Sequence, residues 1–417
     1  MTRRVAITGL GLVSPLGLDA TENATNAAAG RSAIGRLDDL PFASRLALPI
    51  AARVRFDGSA HFDPPQLRML DRVSQFAVVA TRQAIADSGH EPCHLDRDRV
   101  GVFVGCGMGG STTMDEGYRT LYGDRSDRIK PFTVLAGMHN APAAWIAIEY
   151  GLSGPNLTYS TACSSSAVAI GEAWLRVASG SLEVAIAGGA EAPLTLGSMK
   201  AWEAMHTIAS IDPVDPSTSC KPFAKNRSGM VLGEGAAMLV LEPWDRAVAR
   251  GACIHGEVLG YGLATDHGHI TRPSVAGQAS AMRLALRSAD LLPSDVDAIN
   301  AHGTGTQAND AVETAAIKTL FGERAYDMPI SATKALHGHL LGATAALEGA
   351  LSLLAMRQGI ALPTMHLLEP DAACDLDYVA NHARADVAAR IMLSNSFAFG
   401  GTNAVLALGA GPGRTFG

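Results

Sequence analysis

Charge, aromatic side chains and closely spaced cysteines are all scarce in this chain. Aromatics make up 5% and charged residues 18% of its 417 residues. So few aromatics argue against an aromatic-rich β sandwich. Lys and Arg (33) are outnumbered by Asp and Glu (40), and the net charge of −7 disfavours a nucleic-acid partner. The six cysteines (Cys93, Cys106, Cys163, Cys220, Cys253 and Cys374) include no Cys-x-x-Cys pair. Neither a zinc knot nor a disulfide scaffold is therefore expected. No apolar run approaches the roughly 18 residues of a membrane span. The N-terminal stretch carries neither a long apolar segment nor a cleavage site, so the expected compartment is the cytoplasm.

Small and apolar residues are abundant. Hydrophobic residues reach 47% and glycines number 44, enough for a large core of closely packed elements. The length gives two to three domain-sized units. Runs 5–10, 100–105, 184–189, 237–241 and 298–301 read as buried strands. Segments 74–89, 141–150, 164–179, 277–289 and 310–321 read as helices, with apolar residues recurring at three and four. This alternation predicts an α/β fold. The chain also repeats itself. Run 157–162 delivers Cys163 to a helix and is followed by the strand-like 183–189; run 329–333 delivers Lys334 ahead of helix 342–357 and is followed by 390–394 and Gly400-Gly401. Two halves, 1–251 and 252–417, are expected to join near Arg250-Gly251.

Four segments carry chemistry. Cys163 lies between a strand and a helix, in Ser160-Thr161-Ala162-Cys163-Ser164-Ser165-Ser166. At a helix N-terminus the dipole favours the reactive thiolate, and free first-turn N–H groups can hold an oxyanion. A buried structural cysteine fits the local pattern equally well. His302 sits in the glycine-threonine loop Ala301-His302-Gly303-Thr304-Gly305-Thr306, and His339 in Lys334-Ala335-Leu336-His337-Gly338-His339. His337 and His339 suggest a metal pair, but no Cys or carboxylate cluster completes a site. The fourth segment is Phe397-Ala398-Phe399-Gly400-Gly401-Thr402-Asn403, a strand entering a sharp turn. One motif is a decoy. Gly105-Cys106-Gly107-Met108-Gly109-Gly110 satisfies G-x-G-x-x-G, but no clear helix and acidic strand end are expected after it.

Together these segments closely resemble the elongating β-ketoacyl-acyl-carrier-protein synthases, the ketosynthases of fatty-acid and polyketide synthesis, nearly end to end. The resemblance implies a thiolase-like fold: two repeated halves in a five-layered α-β-α-β-α stack, working as a homodimer. It implies a Cys-His-His set of Cys163, His302 and His339, with Lys334 as active-site lysine. Cys163 and Phe399 would supply oxyanion-hole N–H groups, with Phe399 also the acyl gate beside Phe397 and Ala398. Thr304, Thr306 and Thr271 match residues near the malonyl-pantetheine arm; Met108 and Thr133 match acyl-pocket positions, the latter at the dimer interface. Asn300, Glu348, Ser394 and Asn395 match the neighbourhood of a structural sodium or potassium ion, and no other cofactor is implied. The implied partners are acyl carrier protein, delivering malonyl and acyl groups, and a second copy of the chain or a chain-length-factor-like subunit. Arg68 and Arg72 remain of a denser basic docking cluster, and His206 stands where relatives have arginine, so docking of an acidic carrier should be weaker or differently specific.

The departures suggest a specialised enzyme, with aryl-polyene-type pathways as one home. Ala398 replaces a permissive glycine, which puts the gate's freedom in question. Two other readings are weighed. A non-catalytic chain-length partner usually lacks the nucleophile, which is intact here. A degradative thiolase wants a second active-site cysteine, and none lies near His302 or His339 in the sequence.

Overall fold

The computed structural model describes residues 3–91 and 96–412; Cys93 lies outside them. The first half runs β1 (Val5–Val13), α1 (Arg72–Ser88), β2 (Val100–Gly105), α2 (Ala141–Tyr150), β3 (Asn156–Tyr159), α3 (Ser165–Ala178), β4 (Val184–Glu191) and β5 (Gly235–Pro243). The second repeats that order: β6 (Gly256–Thr265), α4 (Val275–Ser288), β7 (Ala298–Asn300), α5 (Gln307–Phe321), β8 (Ile330–Ser331), α6 (Thr344–Gln358), β9 (Ile391–Phe397) and β10 (Thr402–Ala410).

The sheets repeat as well. The first has strand order β3-β2-β4-β5-β1 and the second β8-β7-β9-β10-β6. In each, the first three strands pair parallel and the last two add antiparallel. Residues 5–7 of β1 pair antiparallel with 256–258 of β6, joining the sheets edge to edge. The second run of elements begins with β6 at Gly256.

Buried strands and layering have one cause. β2 and β4 are buried at every position, as parallel strands covered on both faces must be. Ile170 and Val177 of α3 and Leu347 and Leu351 of α6 form one core with Ile7 and Leu239 of the first sheet and Val258 and Leu406 of the second. Phe76 of α1 and Ile146 of α2 cover the first sheet's outer face. Met282 of α4 and Ile317 of α5 cover the second's. The result is the expected five layers.

Glycine sets the spacing. A Cβ on Gly9 or Gly11 of β1 would lie 2.0 Å or 1.8 Å from the carbonyls of Ala84 and Ala80 in α1. On Gly260 or Gly262 of β6 it would lie 2.7 Å or 2.1 Å from those of Ala285 and Ala281 in α4. Both halves press a helix backbone against a strand at the same place, which only glycine permits. No helix among the described residues is long and apolar enough to cross a membrane.

Candidate active site

Cys163 lies on a one-turn 3₁₀ segment, Ala162–Ser164, between β3 and α3. Ala162 takes a left-handed φ of 52°, a conformation that costs a non-glycine residue energy and persists only when its surroundings enforce it. The serines enforce it. Ser165 Oγ accepts from Thr161 N–H at 2.9 Å and donates to Ala162 O at 2.6 Å; Ser164 Oγ donates to Thr161 O at 2.9 Å. Ser166 Oγ accepts from Ala346 N–H at 3.0 Å, tying α3 to α6. The cysteine is left buried, 6% exposed.

The His302 loop hangs from helix α5. Glu313 accepts from the His302 and Gly303 N–H groups at 2.7 and 2.9 Å. One turn earlier, Asp310 accepts from Gly305 N–H at 3.2 Å. Gly303 and Gly305 take φ of 41° and 75°, which lets the chain double back onto the helix that follows it. Both carboxyls are buried, and burial pushes both upward against the N–H groups that they accept from.

His339 reaches the sulfur from the other half. Its Nε2 is 3.0 Å from Cys163 Sγ. Its Nδ1 accepts the Leu341 N–H at 3.2 Å and lies 2.9 Å from Thr344 Oγ1. An acceptor at Nδ1 puts the proton on Nε2. His339 thus presents an N–H toward Cys163. His302 has a similar arrangement: Lys334 Nζ is 3.4 Å from its Nδ1 and also donates to its carbonyl and, at 2.8 Å, to Glu348. Burial first and Lys334 second hold both imidazoles well below the usual histidine range, so both are neutral. The three ligand atoms of Cys163, His302 and His339 lie within 4.8 Å of one another. His337 has no part in this group: its nitrogens bond Thr333 and Gly338.

The sulfur corrects one expectation. Lys334 and the N–H groups of Phe399 and Cys163 all favour thiolate, but burial outweighs them and pushes the thiol up to about 11. The helix N-terminus does not by itself make a resting thiolate here. Two N–H groups favour charge on the sulfur, one from Cys163 at the helix start and one from Phe399 in the turn between β9 and β10.

A pocket opens from solvent to this group. Cys163, His302 and His339 line its floor; Thr271, Thr304, Thr306, Phe397, Ala398 and Phe399 line its walls. Ala398 avoids left-handed backbone, whereas Gly400 and Gly401 take φ of 83° and 80°, so the alanine fits the turn as it stands. Met108 and Thr133 do not line the pocket. Met108 packs on the cluster around Met199 and Leu341, and Thr133 is buried against Gly117.

Two other readings change. Arg72 is not a free docking cation: it grips buried Glu234 through two bonds, at 2.7 and 2.9 Å. Arg68 and His206 are exposed. The glycine motif is followed by a helix, Ser111–Tyr118, contrary to expectation. Its Gly107 and Met108 N–H groups are nevertheless taken by the buried Glu191 carboxyl at 2.8 and 2.9 Å, so they cannot cradle a phosphate.

Asn300 Nδ2, Glu348 Oε2, Ser394 Oγ and Asn395 Oδ1 are all buried; the Asn300 amide stands against the Glu348 carboxyl and favours its charge, and Ser394 Oγ and Asn395 Oδ1 have no hydrogen-bond partner. Unpaired buried polar atoms are costly, and three of these four are oxygens. That donor set fits a hard monovalent cation.

Sequence reasoning missed Asp310, Glu313, Glu191 and the Leu341 N–H. The first two left a signal, carboxylates one turn apart directly after a glycine loop. The Leu341 N–H left none, because every residue carries one.

Comparison with known proteins matches this geometry. The model of the β-ketoacyl synthase N-terminal domain fits residues 2–247, and that of the C-terminal domain fits residues 255–368. Nodulation protein E of Rhizobium meliloti (strain 1021) is 44% identical over 407 residues, covering 98% of this chain and 99% of that protein. 3-Oxoacyl-[acyl-carrier-protein] synthase 2 of Staphylococcus aureus (strain COL) is 39% identical over 409 residues, covering 97% of each. The solved ishigamide ketosynthase/chain length factor superposes with a TM-score of 0.91 at 34% identity, covering 99% of this chain and 100% of that one. Fold, buried cysteine-histidine group and full-length likeness agree: the chain belongs to the β-ketoacyl synthase family.

Proposed function

We propose that this chain elongates acyl groups by decarboxylative condensation in the cytoplasm, with Cys163 as nucleophile, His302 and His339 as N–H donors and Lys334 as the residue that positions His302. The sulfur attacks an acyl thioester on a carrier protein, and the carrier thiol leaves with the proton. A malonyl thioester then enters. Its carbon–carboxylate bond breaks, carbon dioxide departs, and the electron pair moves onto the thioester oxygen, held by the Nε2–H groups of His302 and His339. The enolate carbon attacks the acyl-cysteine carbonyl. The tetrahedral oxyanion lies between the Phe399 and Cys163 N–H groups, and it collapses to a 3-oxoacyl thioester and free Cys163.

The 3.0 Å contact between His339 Nε2 and Cys163 Sγ carries this reading, with Nδ1 already accepting from Leu341. Histidine in that tautomer donates; it does not take the thiol proton. The carrier substrate is supported by the name of the Staphylococcus relative. Mass spectrometry after incubation with acyl-carrier proteins should find the acyl mass on Cys163, and added malonyl carrier should then release carbon dioxide. C163A should lose condensation. Wild-type-like condensation by that variant overturns the mechanism.

The assembly we favour is a homodimer through strand β3. That strand ends the first sheet; Leu157 on it is exposed, and the unpaired Thr158 Oγ1 is buried. Val134, Leu135 and Ile148 nearby in sequence are 70%, 60% and 66% exposed, unusual for isolated surface. A chain-length-factor-like partner on the same edge is the alternative, and the solved ishigamide ketosynthase/chain length factor supports a partner of that kind. Thr133 lies in this region and would approach the partner. Arg68 and His206 would meet the carrier, and Asn300, Glu348, Ser394 and Asn395 would hold sodium or potassium. Primary fatty-acid and specialised pathways, aryl-polyene synthesis included, share this chemistry.

A further inference from the structure

Glu191 ends β4 with its carboxyl fully buried. Backbone N–H groups from both halves fill it. Gly107 and Met108, which follow β2, donate at 2.8 and 2.9 Å, and Gly342, just ahead of α6, donates at 3.0 Å. Burial works against the charge, and these N–H groups work for it. A carboxylate has lone pairs for all of them, whereas an amide of the same shape has a single accepting oxygen.

The Gly342 bond bears on the residue before it. Leu341 has left-handed backbone, with φ 45°, a conformation that persists in a leucine only when its surroundings hold it. It is held at both ends. Its own N–H ends on His339 Nδ1 at 3.2 Å, and the next N–H along the chain ends on Glu191. The turn lies close against the carboxyl: a Cβ on Gly342 would come 2.8 Å from Glu191 Oε2.

The other contacts of His339 do not choose its tautomer. Its backbone donates to Val231 O at 2.7 Å and accepts from Gly233 N–H at 2.8 Å. Thr344 Oγ1, 2.9 Å from Nδ1, can donate to a bare nitrogen or accept from a protonated one. The Leu341 N–H can only donate. Among the described residues, this N–H alone excludes a proton on Nδ1 and so puts it on Nε2, which faces Cys163 Sγ at 3.0 Å.

We propose that Glu191 is a positioning residue for the decarboxylation step: by holding the Gly342 N–H it keeps the Leu341 N–H on His339 and so keeps Nε2 a donor. This rests on the ketosynthase reading above. Without the carboxylate the left-handed turn relaxes and the Leu341 N–H withdraws. Thr344 is then free to accept from Nδ1, and Nε2 turns a lone pair toward the site, where it cannot hold an enolate oxygen.

The test compares E191Q with wild type at pH 8, above the value of about 7 to which burial pushes this carboxyl. The readouts are acyl mass gained at Cys163, kcat and KM for malonyl-carrier decarboxylation, and the imidazole nitrogen shifts of His339 by NMR, assigned with H339A. In E191Q the decarboxylation kcat should fall about 10- to 100-fold with KM little changed, the size expected of a misplaced donor. Loading of Cys163 should not fall, because the Glu191 charge disfavours thiolate there. The His339 spectrum should show Nε2–H in wild type and a population with Nδ1–H in E191Q. Unchanged decarboxylation, an unchanged His339 spectrum, or equal loss of loading and decarboxylation overturns the proposal. Should E191Q fail to fold, E191D keeps the charge one methylene short of its donors and carries the same comparison; if neither folds, Glu191 is structural and the proposal is overturned. A wild-type protein that takes no acyl group from any carrier, with carrier integrity verified, overturns the ketosynthase reading instead.

Discussion

Cys163 should alkylate slowly at neutral pH and faster at every step of rising pH. Its thiol stands at about 11 against an ordinary 9.0, with burial as the largest cause. Two units correspond to about 2.7 kcal/mol against the thiolate. At pH 8 the thiolate is then about one molecule in a thousand, where an unperturbed thiol would offer about one in ten. The assay is iodoacetamide labelling from pH 7 to 10, read peptide by peptide, with the exposed thiol of Cys253 as internal comparison. The Cys163 rate should climb about tenfold per pH unit up to pH 10 without levelling, because only the thiolate reacts. Lys334 is the largest influence opposing burial. K334M should lower the rate further at each pH while keeping the slope. A plateau below about pH 8.5 would refute the reasoning, since it would mean that the helix N-terminus outweighs burial after all.

Three further outcomes follow from the geometry. H339A should lower malonyl decarboxylation by about 10²- to 10³-fold, the usual cost of one oxyanion donor, while Cys163 still takes up acyl groups; equal loss of both steps would contradict donor-only action. E313A leaves the buried N–H groups of His302 and Gly303 unpaired, at about 1–3 kcal/mol each. A lowered thermal midpoint and lost condensation should appear together, and a folded, active variant would contradict the anchoring role. L157D puts a charge on the exposed edge strand and should turn a dimer into a monomer by light scattering; an unchanged mass would locate the interface elsewhere.

How legible each feature was depends on how local its cause is. The strands of the first sheet could be read because parallel strands buried on both faces are near-continuous apolar runs: 100–105 was bounded correctly, and 184–189 falls two residues short of β4. The repeat could be read because both halves put a strand, a turn and a helix in the same order. The resemblance brought Cys163, His302 and His339 together, since nothing local distinguishes His302 from a structural histidine. Arg72 was misjudged because its partner Glu234 is 162 residues away. The thiol was misjudged because a helix start is visible in sequence, while the depth at which it is buried is set by both halves at once. For the glycine motif, the turn-like 124–128 holds no strand, as its polar residues suggest; the helix that follows the motif is less visible, and distant Glu191, which takes its N–H groups, leaves no local signal.

The repeat accounts for Cys163 coming from one half and His302 and His339 from the other. In each half a 3₁₀ turn opens the central helix: Ala162–Ser164 before α3 and Leu341–Ala343 before α6. Each turn begins with a non-glycine residue in left-handed backbone, Ala162 at φ 52° and Leu341 at φ 45°, so the two are equivalent positions of one ancestral bend. In the first half residues 160–161 separate strand from turn, and the next residue after the bend is Cys163. In the second half residues 332–340 lie between β8 and the turn, and they carry Lys334, His337 and His339. The extra length brings His339 back over the bend, where Leu341 N–H can fix its tautomer. At the position equivalent to Cys163 stands Gly342, where a Cβ would lie 2.6 Å from Gly107 N. A nucleophile has no room in the second half, and a donor loop has no length in the first. On the proposed mechanism, two copies of one turn, packed with their helix starts together, would divide acyl transfer and enolate stabilisation between them, and the 3.0 Å contact of His339 with Cys163 is where the two copies meet.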